Sequence, residues 1–129
     1  MKHVVSSQSY GHGIGVGDIN GDGRNDILTP KGWLEAPADA RTPGEWKFHP
    51  TDWEQHPIAP GGATLSPQEA ASNSVSCMSS DINQDGRMDV LTTSAHDYGL
   101  MWFEQSDDGR WLPHVIDSTW SQAHASLLI

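Results

Sequence analysis

The chain has 129 residues, 36% of them hydrophobic, with 17 acidic against 7 basic side chains and a net charge of −10. That length suits one modest domain. That charge excludes a nucleic-acid binder, which needs a basic footprint, and attachment to an anionic membrane surface. The single cysteine, Cys77, rules out an internal disulfide; in the run Val75-Ser76-Cys77-Met78 it has the setting of a buried, inert thiol.

The N-terminal stretch Met1-Lys2-His3-Val4-Val5-Ser6 lacks the apolar segment of a secretory signal, and no apolar run in the chain is long enough to span a bilayer. Tyr10-Gly11-His12 leads into Gly11-x-Gly13-x-Gly15-x-Gly17. No helical pattern follows, so these glycines do not form a phosphate cradle, which needs a helix N-terminus. They let an inner strand pack closely.

Next comes Asp18-Ile19-Asn20-Gly21-Asp22-Gly23-Arg24-Asn25-Asp26, which returns 63 positions on as Asp81-Ile82-Asn83-Gln84-Asp85-Gly86-Arg87-Met88-Asp89. Oxygen-bearing side chains fall at loop positions 1, 3, 5 and 9, and glycine at 6. This is the spacing of a loop that wraps a hard cation: alternate side chains turn inward, position 7 offers its backbone carbonyl, and glycine permits the sharp turn. An EF-hand would continue to a glutamate at position 12. Here Thr29 and Thr92 stand there, and no helix pattern flanks either loop. The loops are therefore expected to bind Ca²⁺ in β-hairpins closed by the position-9 aspartate. The ligands would be Asp18, Asn20, Asp22, the Arg24 carbonyl and Asp26, then Asp81, Asn83, Asp85, the Arg87 carbonyl and Asp89. The six aspartates of the two loops hold much of the negative charge, and each ion would cancel two units of it. The alternatives at this stage are metal-free Asp-Gly turns and Mg²⁺, which prefers a strict octahedron and retained waters.

Strands are expected at Gly13 to Gly17, Asp26 to Thr29, Gly32 to Glu35 and Trp46 to Pro50. After a connector from Asp52 to Ser72, rich in Pro, Gly and Ala, they are expected at Asn73 to Ser80, Asp89 to Thr93, Leu100 to Gln105 and Trp111 to Ile116. Ser66-Pro67-Gln68-Glu69 in the connector has the form of a capping box and one helical turn. Asp108-Gly109 marks a hairpin turn. Each unit carries an aromatic run ending in an acid, Trp33-Leu34-Glu35 and Trp102-Phe103-Glu104, and then Trp-x-x-His, at Trp46 to His49 and Trp111 to His114. Trp33, Trp46, Trp102 and Trp111 are expected in the core. Trp53 and Trp120, in connectors, are core residues or sugar platforms. His3-Val4-Val5 matches His114-Val115-Ile116, so residues 1–9 are expected to be the last strand of a preceding unit. Residues 10–60 then form one unit, 61–72 a linker, 73–117 a second unit, and 118–129 the first strand of a following one.

Four antiparallel strands per unit, repeated, is the pattern of a β-propeller blade, although a period of about 60 exceeds the roughly 40–50 of common propeller repeats. The fold class expected is all-β: two blades of a partial propeller. The segments Gly17 to Leu28 and Ser80 to Leu91 resemble the FG-GAP or VCBS repeat, the calcium-binding blade family that also builds the integrin α-subunit propeller. The resemblance covers nearly the whole chain, although the Phe-Gly and Gly-Ala-Pro elements that name the family are not clear here. It implies an extracellular or periplasmic setting, as does the near-millimolar calcium that loops of moderate affinity need. Two blades cannot close a ring, so the remaining blades are expected from a longer chain or from homo-oligomers.

In such a propeller both loops lie on one face, and His12, His96, Asp97, Tyr98 and His124 gather at the opposite mouth of the channel. They would cap strand ends, or form a polar ligand or metal site. No nucleophile-elbow pattern surrounds any serine. Three functions remain: a calcium-stabilised module that binds a glycan or protein, part of a metal-dependent sugar-processing enzyme of lyase or dehydratase type using His12, His96, Asp97 and His124, or a purely structural element.

Overall fold

In a computed structural model, residues 2–11, 13–51, 53, 74–94 and 98–121 are described. They form eight strands and, among the described residues, no α-helix. Strands β1 (Gly15–Gly17), β2 (Asp26–Thr29), β3 (Gly32–Glu35) and β4 (Lys47–Pro50) pair in that order as one antiparallel sheet. Strands β5 (Ser74–Ser80), β6 (Asp89–Ser94), β7 (Tyr98–Gln105) and β8 (Trp111–Ser121) form a second sheet of the same order. The expected all-β chain with two four-stranded antiparallel sheets is what the residues build. β-Branched and aromatic side chains fill the central strands, and the Asp108-Gly109 turn forms as expected, with Gly109 N–H donating to the Ser106 carbonyl at 2.9 Å.

The ends differ from expectation. Residues 2–9 form no strand. Their Ser6-Ser7-Gln8-Ser9 run offers side-chain bonds that compete with a ladder: Ser6 Oγ accepts the Gln8 N–H at 3.0 Å, and the Ser7 N–H donates to Glu45 at 3.0 Å. The segment still lies along the first sheet, since the Val5 carbonyl accepts the Trp46 N–H at 2.8 Å and Tyr10 stacks on Phe48 at 4.3 Å. At the other end, residues 118–121 do not start a new unit; they extend β8, with Ser121 paired to Tyr98 across an irregular register. Asp117 absorbs the irregularity by accepting the Thr119 N–H at 2.6 Å and the Trp120 N–H at 3.2 Å. The linker 61–72, its capping box and residues 122–129 lie outside the described residues.

The core sits between the sheets. Register places Gly15, Leu28, Trp33 and His49 in one cross-strand row of the first sheet. In the second, Ser79, Val90, Phe103 and Pro113 share a row, with Cys77, Thr92 and Met101 in the next row on the same face. Leu28 and Trp33 join Cys77, Val90, Met101 and Phe103 in a single buried cluster, so these faces meet. The close approach expected of the glycines occurs here. A Cβ on Gly15 would collide with the Cys77 carbonyl, and one on Gly17 with the Ser79 hydroxyl. Trp53 belongs to this core at 2% exposure, edge-on to Trp111 at 5.0 Å, and so is not a sugar platform. A large ring meeting an apolar cluster gains more from burial than from display. Trp120, by contrast, is 61% exposed.

Candidate functional site

Each acidic loop joins the first and second strands of its sheet. Both take one conformation, made by the same bonds. Asp18 accepts the Asp22 N–H at 3.0 Å and the Gly23 N–H at 2.7 Å; Asp81 accepts those of Asp85 at 3.0 Å and Gly86 at 2.9 Å. Asp22 takes the Arg24 N–H at 2.9 Å, as Asp85 takes that of Arg87 at 2.9 Å. The glycine at position 6 has φ of 83° in one loop and 90° in the other, the left-handed region expected of it. Position 4 is left-handed too, at 72° for Gly21 and 62° for Gln84.

The position-9 aspartates turn inward. Asp26 is fully buried and accepts the Ile19 N–H at 3.0 Å and the Ala36 N–H at 2.8 Å. Asp89, equally buried, takes those of Ile82 at 2.9 Å and Gln105 at 3.0 Å. Each therefore ties the start of its loop to the residue at the end of the third strand, and satisfies two N–H groups, buried for Asp26 and partly buried for Asp89. The arginines at position 7 brace the same junction: Arg24 Nε donates to the Ala36 carbonyl at 3.0 Å and Arg87 Nε to that of Gln105 at 2.7 Å, while their Nη2 groups pair with Asp22 and Asp85. The Asp85 carboxyl is held below the usual carboxylate range, chiefly by the Arg87 backbone N–H, with the Asn83 amide and the Arg87 guanidinium adding to it.

The second loop has further supports. Arg87 Nη1 pairs with Asp107 in the β7–β8 turn, and the Asn83 amide donates to Glu104 at 3.2 Å. The other Glu104 oxygen accepts from His114 Nε2 at 2.8 Å, and the His114 ring stacks on Trp102 at 4.4 Å. The first sheet repeats the cluster: His49 stacks on Trp33 at 4.1 Å and donates to Glu35 at 2.7 Å. There the second partner of Glu35 is Lys47, at 3.5 Å. The His49 bond is the main cause that holds the Glu35 carboxyl below its ordinary value, with Lys47 acting in the same direction. The sequence displayed these clusters as Trp-x-Glu followed by Trp-x-x-His. Only the register shows that each histidine sits opposite the first tryptophan, Trp33 or Trp102, rather than acting with Trp46 or Trp111.

The two loops border a common cleft of about 290 Å³, lined by residues 18–21, 86–88, 105–107 and 109. They thus lie on one side of the molecule, as expected. Of the other group, His12, His96, Asp97 and His124 lie outside the described residues, and of Tyr98 only the backbone is described.

As cation sites the loops have the right donor chemistry, all oxygen, and the Asp18 and Asn20 oxygens converge on the Asp22 N–H at 3.0 and 3.2 Å. The position-9 carboxylates, like those at position 1, each accept two backbone N–H groups, and among the described residues no three carboxylate, imidazole or thiolate groups gather on one point. Among the described residues, no helix is long and apolar enough to cross a membrane. The chain matches no family model, no curated protein and no solved structure.

Proposed function

We propose that the chain is part of a calcium-stabilised β-propeller of the FG-GAP/VCBS kind, acting outside the cytosol as a module that binds a glycan or protein ligand. The observation that carries this reading is the duplication: two four-stranded sheets packed face to face, each with an oxygen-rich loop between its first two strands, in one conformation held by the same bonds. In this reading each sheet is a blade, and β1 and β5 are inner strands. Asp18, Asn20, Asp22 and the Arg24 carbonyl hold one ion; Asp81, Asn83, Asp85 and the Arg87 carbonyl hold the other. Asp26 and Asp89 frame the loops from beneath. Bound calcium supplies the positive charge that relieves repulsion among the loop carboxylates. Further blades come from a longer chain or from other copies.

Thermal melts of the chain in millimolar calcium and in EDTA test this. Each ion bound only by the folded state adds about 2.7 kcal/mol at a hundredfold excess over its dissociation constant. Calorimetric titration is expected to show two sites, and Asp22→Ala or Asp85→Ala to remove one each. An EDTA melt identical to the calcium melt removes calcium from the account.

A further inference from the structure

We propose that the cleft between the two loops and the β7–β8 turn is the ligand site of the module, and that it takes a small hydroxyl-rich ligand of one or two sugar rings. The inference rests on reading the chain as a ligand-binding module and does not depend on whether the loops hold calcium. At about 290 Å³ the cleft stands at the lower end of the roughly 300–1,000 Å³ typical of small-molecule sites. A sugar unit fits; a long polymer finds only one subsite.

The chemistry of the walls selects the class. Met88 lines the cleft and packs on the core, and Ile19 there is fully buried, so a small apolar floor is held rigidly in place. Above it the uncommitted groups are mostly acceptors. Asp107 is 89% exposed and pairs with Arg87 through one oxygen, leaving the other open. Among the described residues the Gln105 side-chain amide makes no hydrogen bond, although the backbone of Gln105 holds both Asp89 and Arg87. At the opposite rim the Asn20 amide is already bonded to Asp22 at both ends. Among the described residues of the cleft an anionic ligand meets no free cation, because the Arg87 guanidinium is already shared between Asp85, Asp107 and the Gln105 carbonyl. A hydroxyl pair can donate to the carboxylate and accept from the amide at once, while the C–H face of a ring lies on Met88. These groups come from three separate segments and meet only in the folded chain.

The test is amide-resolved NMR of the full chain, titrated with glucose, galactose, mannose, fucose, maltose and cellobiose, once in calcium and once in EDTA. At least one sugar is expected to shift the amides of Gly21, Gly86, Gln105 and Gly109 saturably. Asp107→Ala and Gln105→Ala should each weaken that binding about tenfold, the loss of roughly one hydrogen bond, with the melting temperature of Gln105→Ala unchanged; Trp120→Ala should leave it intact. Shifts centred on Trp120, shifts from ethylamine but from none of the sugars, or no response at those four amides overturn the proposal. Sugar binding that persists when calcium has no effect on the melt would sink the calcium reading and leave the cleft standing.

Discussion

The two acidic loops share an inner framework and differ in what surrounds it. Both use Asp, Asn and Asp at positions 1, 3 and 5 to hold their own backbone, and a buried aspartate at position 9 to join loop to sheet. Outside that framework the second loop gains Asp107 and Glu104. The difference traces to two positions. Ala38 stands two residues past Ala36, where Asp107 stands two past Gln105. Lys47 faces Glu35 across the strands, where Leu112 faces Glu104. Glu35 spends one oxygen on both His49 and Lys47, whereas Glu104 gives one oxygen to His114 and the other to Asn83. Local sequence thus sets the shape of a loop, and cross-strand neighbours set how firmly it is held.

The largest test of that equivalence is removal of the buried aspartates. Asp26→Ala strands two buried N–H groups and Asp89→Ala two partly buried ones, at about 1–3 kcal/mol apiece, so each is expected to lower unfolding free energy in urea by about 2–6 kcal/mol. Similar losses support a common frame; a large loss for one and none for the other breaks it. Next is the seam between the sheets. Gly15→Ala drives a methyl into a backbone carbonyl that cannot rotate away, for about 1–3 kcal/mol. Gly17→Ala meets the end of a side chain and should lose less, with recovery on adding Ser79→Gly.

A smaller effect is expected at position 4. Gln84 holds a left-handed φ of 62° where the first loop has Gly21, and that conformation disfavours a side chain by about 1–2 kcal/mol. Gly21→Gln should therefore destabilise by about 1 kcal/mol. Gln84→Gly should recover only part of that, because glycine also frees the unfolded chain. Thermal melts of the pair measure both. The smallest effect belongs to pH. The folded Glu35 carboxyl lies below its ordinary value, mainly through His49. Its contribution is complete above the usual glutamate value of about 4.3 and is lost as pH falls through the lowered folded value. Melts between pH 5 and pH 3 should show a shallower acid loss in Glu35→Gln than in the parent. An unchanged acid limb would mean that the His49 contact adds nothing to the fold.

Much of the scaffold could be read in advance. Alternation and turn residues placed β2 and β3 at their observed bounds, and eleven of the remaining twelve ends within two residues, because these strands carry their own propensity and their own turns. The ends could not be read. His3-Val4-Val5 resembles a strand, but the serines after it bind their own backbone; residues 118–121 look like a new start, but Asp117 lets β8 continue. Trp53 was ambiguous for a different reason: a tryptophan in a connector is equally suited to display and to burial until its neighbour, here Trp111, is known.

The chain alone determined the cation-like loops and the duplicated sheets, since spacing, glycine position and strand alternation act over a few residues and need no distant partner. Tertiary structure decided the rest. It made Asp26 and Asp89 buried anchors, because each satisfies one N–H of its own loop and one at the end of another strand. It set each histidine on a tryptophan through register, and it brought two loops 63 positions apart to the walls of one cleft. Such long-range pairings depend on how the two sheets stack, and no short stretch of sequence encodes that.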